Sequence, residues 1–204
     1  MMKAIKKMVF FSLKERIFYY AVDLFSEFGY ESVSLQDIAM AMDVEVASIY
    51  ECYASKKELR DSIYHHCVAL HKKVEPDVDE LLHMAENATL QELSKLMIRR
   101  MEPDDQELYD KILLIAMHDF SFSTDSAKLI EEALFCPIEN TLLPLLNKLI
   151  ALGRVEAMDI PTFIRLVKNF CFAVAVLNIS SFKMDLDAKQ KGYAMLLSLL
   201  KPVG

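Results

Sequence analysis

Residues 34–53, SLQDIAMAMDVEVASIYECY, constrain the fold of this chain most, because they contain two short helical patterns separated by a tight turn. Ser34 and Asp37, three positions apart, form a capping-box-like start, and apolar residues follow at helical spacing. Asp43 occupies the turn, and a second short helix is predicted over about residues 46–53. This spacing predicts a helix-turn-helix unit, whose second helix can enter the major groove of DNA.

The segments on both sides of this unit are also helical in pattern. The preceding segment, RIFYYAVDLFSEF, carries a run of apolar residues, and the following helix is expected to be capped by Ser55 and Glu58. Within the short second helix, the spacing directs Ile49 and Tyr53 toward the interior. These patterns predict an N-terminal domain built from three helices.

The ordered residues of this region resemble the DNA-binding domain of the TetR family of bacterial transcription regulators. The resemblance covers about the first 60 residues, less than a third of the chain. The residues that carry it are Phe28, Gly29, Tyr30, Ser34, Asp37, Ile38, Ala39, Val44, Ser48, Ile49, Tyr50, Ser55, Lys56, Glu58 and Leu59. It implies a helix-turn-helix DNA-binding domain over residues 1–55 and a helical effector-binding and dimerisation domain over residues 56–204.

The composition independently favours an all-α fold. The chain has only four Gly and six Pro among 204 residues and is 53% hydrophobic, which suits helices around a large core. Beyond the fourth helix, helix-length segments are predicted at 77–86, 90–101, 105–122, 126–152, 162–182 and 187–200. Pro137 and Pro144 are expected to kink or split the segment over 126–152.

Seven residues are predicted to contact DNA. They are Ser34, Gln36, Val46, Ala47, Ser48, Tyr50 and Lys56. Hydroxyl groups, a lysine and the free amides at a helix start can bind the phosphate backbone, whereas Gln36, Val46, Ala47 and Ser48 are placed to read bases. Taken singly, the serines are better explained as helix caps and Lys56 as a solvated side chain, whereas the ordered set together favours contacts with DNA.

The charge of the predicted DNA-binding domain departs from the usual basic pattern. Residues 1–53 contain five basic and eight acidic residues, a net charge of −3. Glu45 and Glu51 stand in or beside the recognition helix, where phosphates would repel them, although Glu51 could accept a hydrogen bond from a cytosine amino group. We expect the phosphate contacts to come from the amino-terminal arm, which carries Lys3, Lys6, Lys7, Lys14 and Arg16, and from the fourth helix. The alternative is a TetR-like protein-interaction module with weak or lost DNA binding.

The carboxyl-terminal half has no motif of its own, so its role is implied by the resemblance. The late helices, about 126–152 and 162–182, are apolar over more than one stripe, as expected of a homodimer interface. A two-fold dimer predicts a palindromic operator. An unknown small apolar or aromatic effector is expected near Met101, Tyr109, Met117, His118, Phe120, Phe122 and Phe170, although ordinary core packing explains most such residues. Repression with release by ligand is the family's common mode.

Other classes of function find little support in the sequence. No phosphate loop, dinucleotide fingerprint or nucleophile motif appears, so no enzymatic activity and no cofactor are predicted. His65, His66, Cys67 and His71 lie close together, but a metal site needs a further well-placed ligand, and exposed histidines beside a buried thiol are the favoured explanation. No apolar segment is expected to reach the length of a membrane span, and the chain is expected to be cytoplasmic.

Overall fold

The computed structural model describes residues 11–99, 105–120, 123–179, 191–192, 195–196 and 198–202, and these residues are helices and their connections without any strand. The helices are α1 (Leu13–Phe28), α2 (Leu35–Met42), α3 (Val46–Tyr50), α4 (Lys56–Lys72), α5 (Val78–Met84), α6 (Leu90–Arg99), α7 (Gln106–Asp119), α8 (Thr124–Ile130), α9 (Cys136–Ala151) and α10 (Ile160–Ile179). A π-helical segment, Glu131–Phe135, connects α8 to α9. The all-α prediction is confirmed.

The chain forms two compact units. The first unit contains the described residues of Met1–Cys67 and Glu107–Ala127, and the second contains those of Val68–Gln106 and Lys128–Gly204. Helix α7 and the beginning of α8 therefore cluster with the helix-turn-helix region. The functional division at residues 55 and 56 stays a prediction.

The helix-turn-helix predicted from the sequence is present in the first unit. Ser34 caps α2 with Asp37 in a reciprocal capping box, and Asp43 ends this helix in the left-handed conformation with φ 55° and ψ 50°. The amide of Val44 donates to the carbonyl of Ala39 at 3.1 Å, which closes the turn. Ile49 of α3 is fully buried. Local capping and one inward side chain thus fix the direction of the short α3.

The core of the first unit is formed by apolar side chains from α1, α2, α3, α4 and α7. The fully buried members include Ile17, Ala21, Phe25, Ile38, Ile49, Leu59, Ile63, Ile112, Ile115 and Ala116. The Phe25 and Tyr30 rings meet edge to face with centroids 5.2 Å apart. At the surface, Lys111 of α7 forms an ion pair with Asp23 of α1 at 2.8 Å.

The second unit has a core of its own, built mainly from α5, α6, α9 and α10. Its buried members include Leu81, Leu93, Ile138, Leu142, Leu146, Leu149, Phe163 and Cys171. Beside this core, Arg154 donates to the carbonyl of Ala85 at 2.6 Å, and Lys148 forms an ion pair with Glu86 at 3.0 Å. These polar contacts join the end of α9 to the end of α5.

The two prolines of the 126–152 segment have different effects. The helix widens into the π-helical segment directly before Pro137, where the amide of Cys136 donates to the carbonyl of Glu131, and α9 then begins. Pro144 lies inside α9 without ending it. The segment therefore stays helical through both prolines and is not split, and a kink at either one stays a prediction.

One expectation about membrane spans needs correction. The stretch Ile160–Leu177 of α10 is long and apolar enough to cross a membrane by length and composition, and 28% of it is buried. Uninterrupted apolar runs in the sequence are shorter than a membrane span, whereas this stretch includes Arg165 and Lys168. A single such helix is weak support for a span, because a core or interface helix has the same composition.

The left-handed turn at Asp43 generates a stability prediction. Alanine tolerates positive φ poorly, so we expect Asp43→Ala to lower the free energy of unfolding by about 1 kcal/mol, whereas Asp43→Gly should be neutral or stabilising. Urea unfolding followed by circular dichroism measures both. Met40→Ala, at a side chain that is 78% exposed, serves as the control and should change the stability by less than about 0.5 kcal/mol. Equal effects of Asp43→Ala and Asp43→Gly would contradict the assigned turn.

Candidate nucleic-acid interface

The amino-terminal ends of α2 and α4 border one depression on the first unit, with a volume of about 500 Å³. It is lined by Glu31, Ser32, Val33, Ser34, Leu35, Gln36, Val46, Tyr50, Ala54, Ser55 and Lys56. Five of the seven residues predicted to contact DNA are among them, namely Ser34, Gln36, Val46, Tyr50 and Lys56. Ala47 and Ser48 are not lining residues, although Ala47 is exposed and Ser48 half-buried on α3.

The α2 end of the depression is organised by the capping box. The hydroxyl and the amide of Ser34 both donate to the Asp37 carboxylate, at 2.6 and 2.7 Å, and the Asp37 amide donates back to the Ser34 hydroxyl at 3.2 Å. These hydrogen bonds hold the pKa of the Asp37 carboxyl below its ordinary value. Both Ser34 donors are thus engaged. The first-turn amides of Leu35 and Gln36, which no intrahelical carbonyl can reach, are the groups left to meet an anion.

The α4 end of the depression carries a lysine held in a defined position. The Lys56 ammonium lies 4.1 Å from the centroid of the Tyr30 ring and donates to the Glu31 carbonyl at 3.4 Å. Partial burial lowers the pKa of Lys56. Ser55 accepts from the Glu58 amide at 3.0 Å and so caps the same helix end. A cation and the positive end of a 17-residue helix therefore lie beside the first turn of α2.

The recognition helix α3 presents hydroxyl, methyl and carboxylate groups to the surface. Ala47, Tyr50 and Glu51 are exposed, with 56% of Tyr50 accessible. Glu45 precedes the helix without forming a side-chain cap. No basic residue lies between Glu45 and Glu51. The helix can therefore contact bases but contributes no positive charge for phosphates.

Most other cations described in the first unit are already paired. Lys57 lies 2.8 Å from Asp61 and 3.3 Å from Asp125, and Lys111 is paired with Asp23. The fourth helix was expected to supply phosphate contacts, but among its first cations only Lys56 lines the depression. Lys3, Lys6 and Lys7 of the amino-terminal arm lie outside the described residues. At the depression itself, the positive charge of the described side chains is thus limited to Lys56.

A buried arginine cluster, not anticipated from the sequence, lies beside this surface. Arg60 is 7% exposed, and its guanidinium lies 4.8 Å from the centroid of the Tyr30 ring and 5.6 Å from that of Tyr64. It donates to Asp61 at 3.3 Å and, in a short contact, to Asp125 of α8. The cluster therefore links the end of α1, the helix α4 and the first turn of α8.

A second buried contact joins the same two helices. The Tyr64 hydroxyl of α4 and the Ser126 hydroxyl of α8 are 3.0 Å apart, and burial raises the pKa of Tyr64 to about 12. Asp125 and Ser126 follow the recognition helix by more than 70 positions. Their only sequence signal was a plausible helix start, which did not indicate a partner.

The residues predicted for an effector site are divided between the two units. Tyr109 is buried on α7, Met117 half-buried and His118 exposed on the same helix, and Phe120 follows it with 39% of its surface accessible. Phe170 lies on α10 in the second unit, where a Cβ at Gly192 would overlap its ring. Met101 and Phe122 lie outside the described residues. The structure thus groups four of the seven along α7 and its end.

The histidines and cysteines of α4 show no metal constellation. Across the described residues, no group of three or more His, Cys, Asp or Glu side chains has the arrangement of a metal site. Cys67 is buried, and burial raises the pKa of its thiol. His71 is buried beside Glu75, with Nδ1 3.6 Å from the carboxylate, and burial lowers the pKa of its imidazole.

The helix-turn-helix region is similar to a known family of proteins. Residues 17–66 match the family model described as bacterial regulatory proteins, tetR family. This match spans most of α1, all of α2 and α3 and most of α4, and it confirms the resemblance predicted from the sequence. No curated protein matches the chain.

Solved structures extend the likeness to nearly the whole chain. The TetR-family transcriptional regulator PfmR from Thermus thermophilus is 22% identical, with 91% of this chain and 97% of that chain covered and a TM-score of 0.60. The ketosteroid transcriptional regulator KstR2 of Mycobacterium tuberculosis is 17% identical, with 93% and 95% covered and a TM-score of 0.64. A tetR-family regulatory protein from Rhodococcus RHA1 is 14% identical, with 95% and 100% covered and a TM-score of 0.65.

These likenesses show a shared fold, an N-terminal helix-turn-helix domain followed by a helical domain. Over residues 17–66 the chain is therefore similar to bacterial regulatory proteins of the tetR family, and over most of its length it shares the fold of TetR-family transcriptional regulators. The similar proteins are transcriptional regulators rather than enzymes.

The arginine cluster generates a pH-dependent prediction. Hydrogen bonds from Lys57, together with the nearby Arg60 charge, lower the pKa of Asp125, so its carboxylate stabilises the fold above the ordinary Asp pKa. This stabilisation disappears as the pH falls through the lowered pKa. Because the Asp125 side chain is 44% exposed and therefore screened, we expect Asp125→Asn to lower the unfolding free energy by only about 1 kcal/mol at neutral pH.

Denaturant unfolding across pH measures this contribution. The difference between wild type and Asp125→Asn should shrink on acidification below about pH 4, where the wild-type carboxyl takes up a proton. Glu132→Gln removes a carboxylate from an exposed pair with Lys128 and should have a smaller effect at every pH. A constant difference across pH would refute the charge contribution of Asp125.

Proposed function

We propose that this protein is a ligand-responsive DNA-binding transcriptional regulator that binds a palindromic operator as a homodimer. The observation that carries the proposal is the meeting of two helix amino-terminal ends, the Lys56 ammonium and the Tyr50 hydroxyl at one depression. Backbone amides at helix starts, a cation and a hydroxyl are the donors that bind phosphate oxygens. The depression adjoins the exposed face of α3, which is then directed to base edges.

The chemistry of each group indicates whether it contacts the phosphate backbone or the bases. Lys56 and the first-turn amides of α2 and α4 hold the phosphate backbone, and Tyr50 adds a hydroxyl donor from α3. Gln36, Val46, Ala47 and Ser48 supply the base contacts. The arm with Lys3, Lys6 and Lys7 adds counter-charge to the backbone. Repression, with release of the operator by the effector, is the mode proposed by analogy with the family.

A protein-interaction module without DNA affinity is the second candidate function. It is favoured by the acidic residues Glu45 and Glu51 and by the pairing of Lys57 with Asp61 and Asp125. A mobility shift with the DNA that flanks the protein's own gene, at low and moderate salt, separates the two functions. A specific complex that weakens with salt supports the regulator, and no complex at either salt supports the module.

The phosphate contact of Lys56 is testable by its salt dependence. We expect Lys56→Gln to lower operator affinity several-fold and to reduce the slope of log affinity against log salt by about one, since one phosphate neutralisation is lost. Lys128→Gln removes a cation that is 74% exposed in the second unit and should leave affinity and slope unchanged. Fluorescence anisotropy across salt concentrations provides both quantities.

Two further variants complete the DNA-binding test. Replacing Lys3, Lys6 and Lys7 together by Ala should also reduce the slope, whereas Tyr50→Phe should reduce affinity at constant slope because it removes a neutral donor. Circular dichroism verifies that each variant is folded, since Lys56 also contacts the Tyr30 ring. An unchanged slope in both lysine variants would remove them from the interface.

We place the homodimer interface on the late helices, about 126–152 and 162–182. In this part of the chain Leu143, Leu152, Leu166 and Val176 are each between 38% and 46% exposed, although α9 and α10 also supply core residues. An apolar surface on a helix that already packs on its own core is typical of a subunit interface. The same surface accounts for the membrane-like composition of α10.

The interface is tested by one charge substitution. Leu166→Glu places a carboxylate on the exposed apolar face of α10 and should convert a dimer to monomers, as measured by size-exclusion chromatography with light scattering. Met40→Glu, at a residue 78% exposed in the first unit, is the matched control and should leave the dimer intact. An unchanged dimer in Leu166→Glu would exclude this face.

The effector is proposed to be a small apolar or aromatic molecule that contacts α7. Tyr109, Met117, His118 and Phe120 lie on or directly after this helix. The name of KstR2 refers to ketosteroids, which are apolar, and this likeness in fold supports the proposed class of effector. Because Lys111 pairs with Asp23 and Asp125 with Arg60, a ligand that shifts α7 or α8 changes contacts of α1 and α4.

A further inference from the structure

The exposed face of α3 contains an acidic residue in a position to meet DNA bases. Successive helical residues are rotated by about 100°, so Ala47, Tyr50 and Glu51 fall within one arc of about 100°. All three are exposed, whereas Ile49 is fully buried. Glu51 retains helical backbone angles, with φ −65° and ψ −27°, so the arc includes it. Because Glu51 lies about 40° from Ala47 on the side away from Tyr50, a docking that directs Ala47 into the groove while Tyr50 contacts the phosphate backbone directs Glu51 into the groove as well.

The Glu51 carboxylate is not engaged, unlike several other carboxylates of the first unit. Asp37 and Glu58 accept hydrogen bonds from backbone amides at helix starts, and Asp61 and Asp125 pair with cations. Within the described part of the chain, no hydrogen bond or ion pair engages the side chain of Glu51. It therefore has no structural role that accounts for an acid on a surface predicted to approach phosphates.

A carboxylate in the major groove selects among the bases because it can only accept hydrogen bonds. Cytosine presents its N4 amino group alone, whereas adenine places the N7 acceptor beside its N6 amino group. Guanine and thymine present acceptors that repel a negative charge. We propose that Glu51 is a specificity-determining residue that reads the amino group of a cytosine in each operator half-site. This inference rests on the proposed DNA-binding function.

Under this proposal, the negative charge of Glu51 on the recognition helix serves sequence specificity. Repulsion from phosphates weakens binding to every sequence, and the hydrogen bond to cytosine restores affinity only at matching sites. Glu51 thus increases the ratio of specific to non-specific binding rather than the affinity itself. Under this inference, the acidic recognition helix is compatible with gene regulation.

The test is a selection from randomised duplex DNA with the full-length protein. Wild type should enrich cytosine at one position in each half-site. Glu51→Gln should lose this preference or change it to adenine, which glutamine reads through N6 and N7, and Glu51→Ala should lose it altogether. At that position, discrimination against guanine should fall by roughly tenfold in both variants. Glu156→Gln removes an exposed carboxylate from the second unit and should select the wild-type sequences.

Two different results of the selection would overturn the inference, and they can be told apart. If both Glu51 variants select the wild-type sequences and bind all of them more tightly by one common factor, the carboxylate only repels phosphates and the inference is overturned. If wild type selects no sequence and shows no salt-sensitive binding, the proposed regulator function fails and the role of Glu51 fails with it. Loss of preference at one position, with the remaining positions retained, supports the inference.

Discussion

Burial of the Arg60 guanidinium is the constraint on which the arrangement of the first unit depends. An ion of this size removed from water is tolerated only with charged and aromatic partners around it, since an uncompensated buried charge costs several kcal/mol. The partners are contributed by three elements, Tyr30 after α1, Tyr64 and Asp61 on α4, and Asp125 on α8. The positions of these elements are therefore coupled through one side chain.

This arrangement also shapes the electrostatics of the proposed DNA surface. Arg60 is largely inaccessible, and the accessible Lys57 is shared between Asp61 and Asp125. The cations of α4 thus serve mainly the fold, and the phosphate backbone is left to Lys56, to helix amino-terminal ends and to the arm. A protein with few free cations on its recognition surface is expected to bind non-specific DNA weakly. Base contacts must then supply a larger share of operator affinity.

Features that depend on neighbouring residues could be predicted from the sequence, whereas features that depend on residues far apart in the chain could not. The capping box of Ser34 and Asp37 and the turn at Asp43 involve neighbouring residues, so the pattern alone predicted the helix-turn-helix and the inward direction of Ile49. Pro137 likewise indicated a local disturbance of the helix, although its form, a π-helical segment, was not predicted. In contrast, the pairing of Arg60 with Asp125 joins residues 65 positions apart, and no local pattern indicates it.

The same contrast between sequence position and three-dimensional contacts applies to the candidate site. The sequence identified Ser34, Tyr50 and Lys56 because they occupy family positions at helix starts and on the recognition helix. It did not indicate that both Ser34 donors are engaged by Asp37 or that the Lys56 ammonium rests on the Tyr30 ring. Such details depend on side-chain geometry. In the proposed DNA complex, they leave part of the phosphate contact to the backbone amides of α2.

The position of α7 in the first unit bears on how an effector could control DNA binding. Lys111 of α7 pairs with Asp23, and the start of α8 is held by Arg60 and Tyr64, so these helices share ion pairs and buried contacts with the helix-turn-helix elements. A ligand shifts a conformational equilibrium only by its difference in affinity between two states. If the two states differ in the contacts of Arg60, that difference is expressed directly in the position of α4, whose first residue lines the depression proposed to bind phosphate.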